Sequence, residues 1–222
     1  RRHLNLYFVI IMAEATTKTT RAKKPSASKA TTTTKKKAPV SLELPRNPLM
    51  FEILDLVSKQ RTKAKKVEAL QKHGSLPHGL PLQSLLIWNF DDTVISQLPE
   101  GDVPYGDPED QLKYNGTLSE NLADKSRQMY SDGNFSLGSA DTNGRTTLRA
   151  QSRNFYHFVQ GGNPGLSGMR RESMFINLLQ SVHPLEAEIM VLVKDGLLSE
   201  SYNITKEVVA EAFPDIVWGG RS

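Results

Sequence analysis

From Met50 onward the apolar residues recur at the spacing of one helical face, in short runs that a glycine or proline soon stops. That pattern limits the chain to short helices packed on one another. Met50, Ile53, Leu54 and Val57 form the first such stripe, and Asn47-Pro48 before it reads as a capping residue followed by proline at the first helical position. Thr62 to His73 predicts a second helix with Ala64, Val67 and Leu70 inward and Gly74 as its cap. Leu82 to Phe90 predicts a third, with Leu82, Leu85, Leu86 and Trp88 in the core. Thr147 to Gln160 predicts a fourth, presenting Leu148, Phe155, Tyr156 and Val159 and ending at Gly161-Gly162. Met174, Phe175, Leu178, Leu179 and Val182 mark another. His183-Pro184 opens the next, with Leu185, Ile189, Leu192 and Val193 on one side and Gly196 past its end. Tyr202-Asn203-Ile204 reads as a short extended link. Thr205 then caps a last helix carrying Val208, Val209, Ala212 and Phe213, stopped by Pro214. The expected fold is mostly α: a bundle of six or seven short helices with long loops, no sheet and no internal repeat, in a single domain over 46–222. Residues from about 110 to 147 read as a flexible insertion, with a helical turn or two at Asn121–Tyr130 before the Ser/Gly/Asn/Asp-rich stretch 131–144.

The first 45 residues are of a different kind. Residues 12–45 are nearly all Lys, Thr, Ala, Ser and Pro, with no aromatic residue and little to bury, so ordering them would cost entropy for little return. They are expected to form a disordered basic arm. Residues 1–11 precede the first methionine, Met12. They resemble a signal peptide only loosely: the apolar run Leu6–Met12 is far short of the roughly 20 residues that span a bilayer. The expectation is that translation starts at Met12 and that residues 1–11 are upstream sequence.

Charge separates the two parts. Ten Lys/Arg against the single acid Glu14 give residues 1–41 a charge of +9; the whole chain is +4, so residues 42–222 carry −5. A pI of 9.2 therefore describes the arm, not the body. A basic arm of this kind meets phosphate by counterion release, steeply dependent on salt, and without aromatics it has no platform for bases. The alternative is a solubilising spacer. The candidate nucleic-acid contacts are Lys18, Arg21, Lys23, Lys24, Lys29, Lys35, Lys36 and Lys37 in the arm and Arg61, Lys63, Lys65 and Lys66 on the second helix. Lys59 and Lys72 lie close to that patch, and a plain solvated helix face is the competing reading.

Chemistry is sparse. The absence of cysteine excludes disulfides, thiolate nucleophiles and Cys-based metal sites, and is compatible with a reducing compartment. No phosphate-cradling loop, Gly-x-Ser-x-Gly elbow or His-Glu-x-x-His occurs. His73 and His78 are five apart across a Gly/Pro loop, not a helical ligand pair. Asp91, Asp92, Asp102, Asp107, Glu109 and Asp110 invite a divalent ion, but the one stretch resembling a calcium loop, Ser139 to Ala150 around Asp141-x-Asn143-Gly144, ends on alanine where a carboxylate is required. The last two helices suggest a helix-turn-helix, yet about eight residues separate them where three or four are usual. No cofactor, metal or membrane contact is expected.

Two blocks of residues carry a resemblance. The first runs from Asn47-Pro48 to Leu70, through Leu82-Gln83-Ser84-Leu85-Leu86-Ile87-Trp88-Asn89-Phe90-Asp91 to Leu98-Pro99-Glu100-Gly101 and Pro104-Tyr105. The second comprises Phe158-Val159-x-Gly161-Gly162-Asn163-Pro164, Arg171-Glu172-x-x-Phe175-Ile176, His183-Pro184-x-Glu186-Ala187-Glu188 and Glu211-Ala212-Phe213-Pro214. Together they are similar to a family of uncharacterised proteins from T4-like tailed bacteriophages, including cyanophages. The resemblance spares about 110–147, so that insertion and the arm look like departures from the family's compact form. It implies a phage protein in the cytoplasm of an infected bacterium and supplies no catalytic residue. The function expected is a non-enzymatic accessory protein whose body binds a protein partner and whose arm holds DNA or RNA non-specifically. An assembly or replication-machinery protein with the arm as spacer is the alternative, and a metal-dependent hydrolase using the acidic loop is the weakest reading.

Overall fold

The computed structural model describes Leu44, residues 47–132 and residues 146–221. All of them belong to one compact unit, Pro39–Ser222. Among the described residues the protein is helical: α1 (Met50–Ser58), α2 (Lys63–Gly74), α3 (Leu80–Phe90), α4 (Pro108–Lys113), α5 (Leu118–Asp132), α6 (Leu148–Gln151), a 3-10 turn (Ser152–Phe158), α7 (Gly168–Ser181), α8 (Pro184–Lys194), α9 (Leu198–Ser201) and α10 (Lys206–Ala212). They contain no strand; a single antiparallel bridge joins Ser96 to Val159. No described helix is long and apolar enough to cross a membrane.

α8 is the centre of the bundle. Leu185, Ala187, Ile189, Met190 and Val193 are buried on several of its sides, and it packs against α1, α3, α5 and α7. A helix apolar on more than one side belongs inside. Its start follows the sequence reading: Pro184 occupies the first turn and His183 caps it, with Nδ1 accepting the Leu185 N–H at 3.0 Å. The imidazole also stacks on Phe51 at 5.1 Å. Gly196, at φ +69°, ends the helix in the left-handed conformation glycine adopts most easily.

α1 begins at Met50, two residues after the expected Pro48, and Asn47 does not cap it. The N-terminal amides are held by carboxylates instead: Glu52 accepts the Leu49 N–H at 2.8 Å and Glu186 accepts the Met50 N–H at 2.9 Å. In α2 the buried set is Lys66, Val67, Ala69, Leu70 and Gly74. Ala64 is exposed rather than inward, because the helix turns the 66–70–74 row to its neighbours α1, α10 and α3. Gly74 is the last helical residue and Ser75 the cap.

Two expectations are corrected. The segment after Lys113 is not a loose insertion: α5 runs for 15 residues and packs along α8. Its inward row, Leu118, Leu122 and Ser126, contains only two strong hydrophobes, and the Ser126 hydroxyl donates to the Glu188 carboxylate. That row is too polar for its period to stand out in the sequence. The helix expected over 147–160 is α-helical only to Gln151 and continues as a 3-10 turn. At three residues per turn, Phe155 and Phe158 share one face and enter the core, while Tyr156 swings outward. Residues 133–145, including the candidate calcium loop's start, lie outside the described residues.

Candidate nucleic-acid interface

The basic residues predicted on α2 do sit together, but two of them are already engaged. Thr62 caps the helix, its hydroxyl accepting the Lys65 N–H at 3.3 Å. From this start Lys63 crosses to Glu211 of α10 at 2.7 Å. Lys66 is buried, its ammonium donating to the Asn203 carbonyl; burial lowers its pKa from the ordinary lysine value. Arg61, Lys63 and Lys66 line a cleft of about 400 Å³ with Thr205, Glu207 and Val208. Glu207 is held below the ordinary carboxylate pKa by the Thr205 hydroxyl first, and by its own N–H, Lys63 and Lys206. Arg61 and Lys65 are exposed and make no ion pair among the described residues. Lys59 pairs with Asp55 at 2.5 Å. Lys18, Arg21, Lys23, Lys24, Lys29, Lys35, Lys36 and Lys37 lie outside the described residues.

These pairs explain α10. Val208, Val209 and Ala212 are buried in packing against α2, and the outer face carries Glu207 and Glu211. Lys206 reaches Asp92 at 3.4 Å and lies over the Trp218 ring at 5.3 Å. α9 also intervenes between α8 and α10. The arrangement is a packing helix rather than the reading helix of a helix-turn-helix.

The acids of 91–110 are dispersed into separate structural tasks. Asp91 is buried; it accepts the Gly219 N–H at 3.0 Å and the Thr93 hydroxyl at 2.8 Å, and pairs with Arg221 at 2.6 Å. Burial alone would raise its pKa, but these donors bring it down to about 2. Asp102 accepts the Ser119 hydroxyl and Asp107 caps α4. Among the described residues no three His, Cys, Asp or Glu side chains converge on one point. His73 and His78 do not form such a group.

Two clusters escaped the sequence reading. Glu186, fully buried, bridges the Met50 N–H and the Leu148 N–H, both at 2.9 Å, so one carboxylate holds the first amides of α1 and α6. Burial raises its pKa against the pull of those donors. The second is a knot around Arg171, 6% exposed, whose Nε donates to the His157 carbonyl at 2.8 Å and whose Nη2 donates to the Asn163 and Leu166 carbonyls at 3.3 and 3.0 Å. A recognisable signal preceded it: residues 142–171 contain five arginines and no Asp, Glu or Lys.

A family model described as a family of unknown function (DUF6433) matches residues 53–142 and 137–200. The chain belongs to that family. No curated protein and no solved structure matches it. The matched stretches include α4 and α5, so residues 110–132 are part of the family's sequence and not an addition to it. They stop before α10, which meets α2 through the Lys63–Glu211 pair.

Proposed function

We propose that the chain is a non-enzymatic accessory protein of a tailed bacteriophage, at work in the host cytoplasm, whose Lys-rich leader holds DNA or RNA by its phosphates while the helical body docks a protein partner. The phage assignment rests on the two motif blocks. The nucleic-acid reading rests on one observation, the concentration of +9 in residues 1–41 against −5 in the remainder. The body's own cations lend support: Lys63, Lys66, Lys194, Lys206 and Arg221 each already meet an oxygen of the body. Arg61 and Lys65 would extend the contact, and a phosphate would compete with Glu211 for Lys63. The body's partner is expected at its exposed apolar residues, of which Leu112 on α4 is the most open at 89%; α4 buries none of its own residues. That helix also favours the second reading, an assembly protein with the leader as spacer.

The test is binding to random-sequence duplex DNA across a salt series, with and without residues 12–45. Each phosphate neutralised contributes about −0.9 to the slope of log K against log salt, so removing the leader should flatten the slope by several units. Binding that ignores salt, or equal binding by both chains, overturns the reading.

A further inference from the structure

The knot around Arg171 has an outer surface that the leader's chemistry does not explain. Residues 142–171 form the longest acid-free stretch of an otherwise acidic body, and their charge is all arginine: Arg145, Arg149, Arg153, Arg170 and Arg171. Arginine stacks on planar groups and grips phosphate with a forked donor set, which lysine does not. In the 3-10 turn, residues three apart eclipse one another. Arg153 and Tyr156 therefore lie on one edge, both exposed, opposite the buried Phe155 and Phe158. Tyr156 is 49% exposed, an unusual position for a large aromatic residue in a turn whose other rings are buried. Its ring lies 3.9 Å from that of His157, tilted by 36°.

The surroundings hold this edge rigidly. Arg171 ties the His157 carbonyl to the loop carbonyls of Asn163 and Leu166. The Asn163 amide lies 2.9 Å from His157 Nδ1, which accepts from it. Gly162 presses against the Tyr156 carbonyl so closely that a Cβ there would fall 1.9 Å from the oxygen. The first turn of α7, which contains Arg170 and Arg171, has no acidic residue, and Arg170 is exposed. Among the described residues no carboxylate pairs with the buried Arg171 guanidinium. A positive charge satisfied only by carbonyl dipoles favours an anion nearby.

We propose that this face binds single-stranded nucleic acid: an unpaired base stacks on the Tyr156 ring, and the phosphates beside it meet Arg153 and Arg170. The inference rests on the nucleic-acid reading above and adds the form of the ligand. A duplex keeps its base faces stacked inside and offers this surface only phosphate, whereas a single strand presents a π-face to an aromatic side chain. The leader, without aromatics, holds both forms alike; Tyr156 supplies the discrimination.

The experiment uses the full chain, with fluorescence anisotropy on a labelled oligothymidylate and on the same strand annealed to its complement. The parent should bind the single strand more tightly. Tyr156→Ala should weaken single-strand binding by about tenfold, in line with the loss of one stacked base, and leave duplex binding unchanged. Tyr156→Phe, which keeps the ring, should bind like the parent. Arg153→Gln with Arg170→Gln should lower the single-strand salt slope by about 2. If the chain binds neither oligonucleotide, the parent reading falls and this one with it. If it binds both and Tyr156→Ala changes neither, or weakens both equally, only this inference falls, and the face is left to a protein partner.

Discussion

Replacing Glu186 should show how much of the fold hangs on one carboxylate. Its two oxygens accept the Met50 and Leu148 N–H groups, each at 2.9 Å, and the side chain is wholly buried. Glu186→Ala strands two buried donors. Each costs about 1–3 kcal/mol when left unpaired, so the variant should lose about 2–6 kcal/mol before any cavity is counted. Total stabilities of about 5–15 kcal/mol are usual, so this is a large share. In a chain this long about 1 kcal/mol moves the melting midpoint by roughly 2–4 °C, and a fall of about 10 °C or more is expected. Glu186→Gln should be milder, because one oxygen still accepts while the amide N–H₂ faces the other donor. The assay is thermal and urea unfolding followed by far-ultraviolet circular dichroism. The pH dependence has a defined sign. Burial raises the folded pKa above the ordinary value of 4.5, so the folded state holds this proton more tightly than the unfolded chain does. The resulting stability is complete below that ordinary value and is lost as pH rises through the folded one. Glu186→Gln should remove that decline. A midpoint within about 3 °C of the parent for Glu186→Ala, below about 1 kcal/mol, would mean that water satisfies the two amides and the reasoning is wrong.

Two further predictions concern stability. Gly79→Ala should destabilise by about 3 kcal/mol or more, as severe overpacking does, because its Cβ would lie 1.9 Å from the Gly74 carbonyl oxygen, a backbone atom with no freedom to move aside; an unchanged urea midpoint would refute it. Asp91→Asn should abolish an acid-induced loss of about 2 kcal/mol, since a carboxylate lowered from 3.8 to about 2 stabilises the fold above its unfolded pKa and loses that stability as pH falls through the folded one; a parent equally stable at pH near 2 and near 5 would refute it.

The extent to which the site could be read from sequence differs by residue. Arg61, Lys63, Lys65 and Lys66 were visible as a charge cluster, but nothing in their spacing announced that Lys63 would meet Glu211, 148 positions away, or Lys66 the Asn203 carbonyl. The acids from Asp91 to Asp110 were visible too, and only the packing showed that they go to separate partners. Tyr156 read as core because an α-helical period was assumed; the 3-10 period turned it outward.

Periodicity and punctuation by themselves determined the helical class, the limits of α3, α7, α8 and α10 to within a residue or two, and the charge divide at the leader, because those depend on interactions between residues a few positions apart. Only the tertiary structure decided α5, the Glu186 bridge and the Arg171 knot. In each, a polar side chain is buried beside a partner distant in sequence or drawn from another element, and no local pattern records which donor will arrive to meet it.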